Sequence, residues 1–168
     1  MLERMEEDGI FLSQSIIQRL TDNSDLLDVV YAMVDVKTKD AARAVIRNEE
    51  NIDNDLLTML CRELEVDEIS WYDSGGQIIC SNIAENIGWA APSGHPVNDF
   101  MGGSQAELVE ETRVDSITGD YMKFGLAKGT NGNFVQVGMN VNEFQAMEEK
   151  MGYQAVLEEL IENEAIVD

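Results

Sequence analysis

Beyond Glu68 the apolar residues of this chain recur at every second position instead of every third or fourth. Apart from one long insert at 83–104, the segments that do so are joined by turns too short for a crossover. Strands connected that tightly must run antiparallel, so this single change of period excludes the alternating α/β architectures. Glu68–Asp73 (EISWYD) alternates with Ile69 and Trp71 on one face, Asp73-Ser-Gly-Gly76 is a turn, and Gln77–Asn82 (QIICSN) is a second strand. Three more strands are predicted at about 106–115, 120–128 and 133–141, separated by Ser116–Gly119 and Gly129–Gly132. In the last of these, Val135, Val137, Met139 and Val141 share one side, and Phe134 and Gln136 share the other. In the strand before it, Met122, Phe124 and Leu126 oppose Tyr121 and Lys123.

The helical period occupies the N-terminal third. Leu2, Met5, Gly9, Leu12 and Ile16, then Leu26, Leu27, Val30, Met33 and Val34, predict one long helix or two collinear ones over about 2–35. A short helix is predicted at 38–48 (Ala41, Ala42, Val45, Ile46) and another at 54–64, with Asp53 as its N-cap and Ile52 stapled to Leu57. A C-terminal helix spans about 142–163, capped by Asn142. Helices and strands are segregated, which is the α+β class. A helical pattern already running at residue 1 reads as a piece cut from a longer chain, as does the extended character of Ala165–Asp168. Residues 83–104 interrupt the sheet with an irregular insert holding both prolines, Trp89 and the single histidine, His95. Inserts of this length inside a compact domain are usually functional or disordered, and Trp89, Phe100 and Met101 favour an ordered one.

Composition removes whole classes of function. The 168 residues suffice for one domain with a real core, and 44% of them are apolar, which argues against disorder. With 33 Asp and Glu against 11 Lys and Arg, the formal charge of −22 excludes nucleic acid and anionic membrane surfaces as main partners. No apolar run approaches the roughly 20 residues of a membrane helix. Cys61 and Cys80 are too few for a disulfide framework; burial as small hydrophobes is the default reading, and a disulfide between them is the alternative. No catalytic order of Ser, His and Asp, no phosphate-binding loop and no calcium-loop spacing is present. Neither a catalytic role nor a cofactor or metal is therefore expected.

The order of elements, with WYDSGGQIICSN, Ile87-Gly88, TGDYMKFG and GNFVQVGMNV, resembles the Cache family, the PAS-like extracytoplasmic sensor modules of prokaryotic receptors. The resemblance covers nearly the whole chain, and the long N-terminal helix separates it from intracellular PAS domains. It implies a single module over 1–168, made of a helical region (1–64), a sheet (65–141) and a C-terminal helix (142–163). It further implies a five-stranded antiparallel sheet with one face on the long helix and the other, under the insert, forming a small-molecule pocket. Such domains lie outside the membrane in sensor histidine kinases, chemotaxis receptors or cyclic-dinucleotide enzymes, and ligand binding shifts their terminal helices. The membrane would be reached only through flanking segments. Alternatives are a structural relay of the same fold without a ligand, and a cytoplasmic PAS-like module. A parallel homodimer through the Leu2-Met5-Gly9-Leu12-Ile16 stripe is one use of that face; packing on the sheet is the other.

On this reading the candidate ligand contacts are Trp89, His95, Asp99 and Phe100 of the insert, and Arg113, Tyr121, Lys123 and Gln136 of the meander. Aromatic and polar groups converging over a sheet are the usual composition of a small-ligand site. Arg113 and Lys123 are scarce cations in an acidic chain and suit a carboxylate ligand. The bland readings are equally concrete. Trp89 and Phe100 anchor the insert, His95 and Gln136 are solvated, and Arg113 or Lys123 makes an exposed ion pair with Glu107, Glu110, Glu111 or Asp115, worth about 0–1 kcal/mol. Strand parity places Tyr121 with Lys123, but the side taken by Arg113 depends on hairpin register.

Overall fold

A computed structural model describes the backbone of residues 2–165, and side chains at 14, 15, 18, 19, 21–157 and 159. The chain forms two compact units, Met1–Ala32 with Glu143–Asp168, and Met33–Asn142. Helix α1 (Leu2–Ile46) runs from the first unit into the second. The separate helix expected at 38–48 is its last part, because nothing between Leu12 and Ile46 is a glycine or proline. The polar stretch Thr21–Asp25 likewise does not interrupt it. Asn48 closes the helix, its side-chain amide donating to the Ala44 carbonyl at 2.9 Å.

In the first unit, Tyr31 of α1 meets α4 (Asn142–Ala165). Its ring lies edge-on to Phe144 at 6.3 Å, and its hydroxyl donates to Glu148 Oε2 at 3.4 Å. The side chains of the Leu2-Met5-Gly9-Leu12-Ile16 stripe, and the segment 166–168 expected to be extended, lie outside the described residues.

The second unit is built on an antiparallel sheet. Its strands are β1 (Glu68–Tyr72), β2 (Ile78–Ser81), β3 (Glu107–Val109), β4 (Arg113–Val114), β5 (Tyr121–Lys128) and β6 (Phe134–Asn140). The order is β2-β1-β6-β5-β3, with β4 also paired to β5. Six strands stand where five were expected, because the segment predicted as one strand at 106–115 breaks at Glu110–Thr112 into β3 and β4. Asp53 caps α2 (Asn54–Glu63) as expected, accepting the Leu56 amide at 2.8 Å. Asn142 does not cap α4 through its side chain. It accepts the Tyr121 amide at 2.7 Å and donates to Asp120, tying the end of β6 to the start of β5.

Both faces of the central strands are buried, so each has its own core. One face gathers Ile69, Trp71, Ala127, Val135 and Val137 under Ala41, Ala42 and Val45 of α1 and Leu57 and Leu60 of α2. Gly125 permits the closest approach: a Cβ there would stand 2.7 Å from the backbone of Thr38. The other face gathers Tyr72, Ile78, Met122, Phe124, Leu126 and Phe134 under Val97 and Phe100 of α3 (Pro96–Gly102). The insert is therefore ordered and covers the face opposite α1.

Candidate functional site

Polar residues enter the insert-covered face at alternate positions of β1. Ile69 and Trp71 point to the helices, so Glu68, Ser70 and Tyr72 point to the insert. All three are buried, as are their neighbours Ser81, Asn86 and Gln136. Glu68 Oε1 accepts from Ser70 Oγ at 3.1 Å and from Asn86 Nδ2 at 3.0 Å. Tyr72 stacks on Phe134 with ring centroids 4.6 Å apart, and its hydroxyl donates to Gln136 Oε1 at 3.0 Å.

The β3–β4 edge supplies charge to the same face. Arg113 pairs with Met122 in register, which settles its side. Its guanidinium lies 4.2 Å from the centroid of the Phe124 ring, and its Nε donates to Glu110 Oε2 at 2.7 Å. This is an ion pair of the kind anticipated, but its carboxylate is 7% exposed, so it is an interior pair and not a solvated one. Asp115, also buried, accepts the amides of Ile117 and Thr118 at the following turn.

These charges act on one another. Glu68 has its pKa pushed up from 4.5 to about 7, first by burial and then by the negative charge of Asp115; the bonds from Ser70 and Asn86 and the charge of Arg113 oppose the rise. Burial also raises Glu110 against the pull of Arg113. His95 is held below the usual histidine range by burial, then by the positive charge of Arg113, with Asp115 opposing. A neutral ring suits its structural position: His95 N-caps α3, with Nδ1 accepting the Val97 amide at 3.3 Å. Its ring lies edge-on to Trp89 at 5.1 Å, and Trp89 lies edge-on to Tyr72 at 6.5 Å.

Hydrogen-bonding capacity remains unused here. Among the described residues, four of the five buried side-chain polar atoms without a hydrogen-bond partner belong to this face: Arg113 Nη1, Gln136 Nε2, Asn86 Oδ1 and Glu110 Oε1. Two are donors and two are acceptors. Buried polar groups are ordinarily satisfied, and leaving one unmade costs about 1–3 kcal/mol. A face that keeps both kinds unsatisfied is suited to receive a small polar molecule. Among the described residues no group of three or more His, Cys, Asp and Glu is placed to hold a metal.

The structure thus brings Trp89, His95, Phe100, Arg113 and Gln136 to one face and leaves three other sequence candidates elsewhere. Asp99 is on the exposed side of α3. Tyr121 is exposed at the start of β5. Lys123 points to the α1 side, where its ammonium meets Asp35 at 2.8 Å. Phe100 packs edge-on to Phe134 at 5.8 Å and belongs to the core under the insert. Sequence reasoning missed Glu68, Ser70, Asn86, Glu110 and Asp115 as members of the face. The signal for the first two was the polar half of the β1 alternation. Cys61 is buried and Cys80 half-buried, and both are free thiols.

Comparison with known proteins places the fold. No family model matches the sequence, and no curated protein matches it. Among solved structures, the sensor domain of Escherichia coli DcuS superposes with a TM-score of 0.52 at 12% identity, over 70% of this chain and 96% of that domain. The ligand-binding domain of the Campylobacter jejuni chemoreceptor Tlp3 with 4-methylisoleucine superposes with a TM-score of 0.53 at 10% identity, over 80% of this chain and 62% of the other. The same sensory domain with isoleucine bound gives 0.51 at 12% identity, over 81% and 65%. This chain therefore spans less than two thirds of the Tlp3 domain. It shares the PAS-like α+β fold of these sensor domains.

Proposed function

We propose that this chain is the extracytoplasmic, small-molecule-sensing part of a transmembrane signalling receptor, with its ligand held between the sheet and the insert. One observation carries the reading: unpartnered donors (Arg113 Nη1, Gln136 Nε2) and acceptors (Asn86 Oδ1, Glu110 Oε1) are buried on the face that the insert covers. The Arg113 fork suits a carboxylate. The two acceptors, beside Glu68 and Asp115, call for a hydrogen-bond donor or a positive charge on the same molecule. A bare dicarboxylate would meet three buried carboxyls and one guanidinium, so a small acid that also carries an amino, amide or hydroxyl group fits better. Trp89 and His95 line the approach from the insert, and the module would act without catalysis of its own. No described helix is long and apolar enough to cross a membrane, so the membrane would be reached through other segments of the receptor.

The test is native mass spectrometry of the purified, undialysed protein, followed by a thermal-shift panel of small carboxylates, amino acids and hydroxy acids. A ligand at a hundredfold excess over its dissociation constant adds about 2.7 kcal/mol, or roughly 8 °C for a chain of this size. The expected result is a bound mass lost on denaturation, or such a shift, either one abolished in R113M. A second reading, a relay of the same fold without a ligand, draws on Phe100, which is 3% exposed and fills part of the face. An empty mass and a flat panel would favour it.

A further inference from the structure

The proposed site has a rear attachment that the ligand reading does not use. Lys123 is 5% exposed and lies on the side of β5 away from Arg113. Its ammonium has two partners, one on α1 and one at the break between β3 and β4. It lies 2.8 Å from Asp35 Oδ1 on α1 and donates to the Glu110 backbone carbonyl at 3.0 Å. Glu110 sits at the break between β3 and β4, its amide donating to the Phe124 carbonyl at 2.8 Å and its carboxylate gripping Arg113. A buried ammonium depends heavily on its partners, because losing one leaves a charge desolvated.

The local packing leaves little slack. Thr38 is fully buried, donates to the Asp35 carbonyl at 3.1 Å, and has its backbone directly against Gly125, two residues along β5 from Lys123. One helical turn on α1 and one pleat on β5 thus meet as a close-fitted joint, with Asp35 and Lys123 as its ionic half.

We propose that Lys123 is a positioning residue that ties the Glu110–Arg113 arm of the site to α1, so that displacement of the arm by a ligand is transmitted to α1 at Asp35. Arg113 and Asp35 lie on opposite sides of the sheet and are joined through Glu110 and Lys123. The proposal rests on the ligand reading for its biological use, but its physical content is a coupling energy that exists without a ligand. Spatial intermediacy alone does not establish coupling, so the test measures it directly.

The experiment is urea unfolding of D35N, R113M and the double variant, first with Lys123 and then in a K123M background. With Lys123 present, the double variant is expected to depart from additivity by roughly fivefold or more in the unfolding equilibrium constant, the scale seen for residues in one network. In K123M the two substitutions are expected to become additive. Additivity with Lys123 present, or the same non-additivity in K123M, would overturn the proposal. If K123M does not fold, K123Q serves as the background, because it keeps a donor for the Glu110 carbonyl while removing the charge facing Asp35. Failure here removes the tie and leaves the ligand reading intact. That reading falls only by the mass and thermal-shift results.

Discussion

Replacing Glu68 with glutamine is expected to stabilise the protein at alkaline pH and to have little effect in acid. Both hydrogen bonds that Glu68 receives, from Ser70 Oγ and Asn86 Nδ2, end on Oε1. A glutamine oxygen accepts both equally, while its amide stands where the acid proton would be. E68Q is therefore a permanent copy of the protonated state. The carboxyl titrates at about 7 in the folded protein against 4.5 for the free group. The folded state thus holds this proton more tightly than the unfolded chain does. The stability Glu68 contributes is complete below about pH 4.5 and is lost as pH rises through about 7. At 1.36 kcal/mol per unit, the loss approaches about 3 kcal/mol at pH 8. Urea unfolding of both proteins at intervals from pH 4.5 to 8.5 gives the difference curve, in which every other carboxylate cancels. The curve should rise from near zero to about 3 kcal/mol in favour of E68Q, with most of the change below pH 7. A flat difference would refute the claim that the buried face opposes a charge at Glu68. The second cause of the shift can be separated too: in the D115N background the same curve should start at the same pH but level off earlier and at a smaller height, because the repelling charge is gone and the folded carboxyl is less raised.

Two further outcomes test the fold that holds the site. G125A places a methyl group 2.7 Å from the Thr38 backbone, so α1 must move off the sheet; overpacking of this kind costs about 1–3 kcal/mol, read as a lower unfolding midpoint. D53A removes the cap that accepts the Leu56 amide and should cost about 1 kcal/mol in chemical denaturation without altering ligand binding.

Much of the architecture was legible because it depends on local pattern. The shift from helical spacing to alternation at Glu68, the Asp73–Gly76 turn and the Asp53 cap each act within a few residues, and each stands where the sequence places it. Where local signals erred, they were weak ones. The polar patch before Ala41 contains no helix breaker, so α1 simply continues. The run through 106–115 alternates too poorly to hold one ladder and divides at Glu110.

The site was less legible, and Lys123 shows why. Alternation along β5 separates Lys123 from Phe124, and the structure keeps that separation. Alternation cannot say which of two faces meets the insert when both are apolar, and here both are: Val135 and Val137 face the helices, while Phe124 and Phe134 face α3. The decision comes from what each face packs against. Gly125 admits α1 to one side, and Val97 and Phe100 close the other. Those contacts join residues more than eighty positions apart on one side and about thirty on the other. In the same way, Glu68, Ser70 and Asn86 are ordinary polar residues in one dimension. Sequence by itself determined most of the elements, the antiparallel pairing of adjacent strands and which side chains share a face within one strand. Tertiary structure decided which polar residues are buried together and which of their hydrogen bonds stay unmade. Periodicity is a property of neighbours along the chain, whereas burial and charge coupling are properties of the surfaces that close over it.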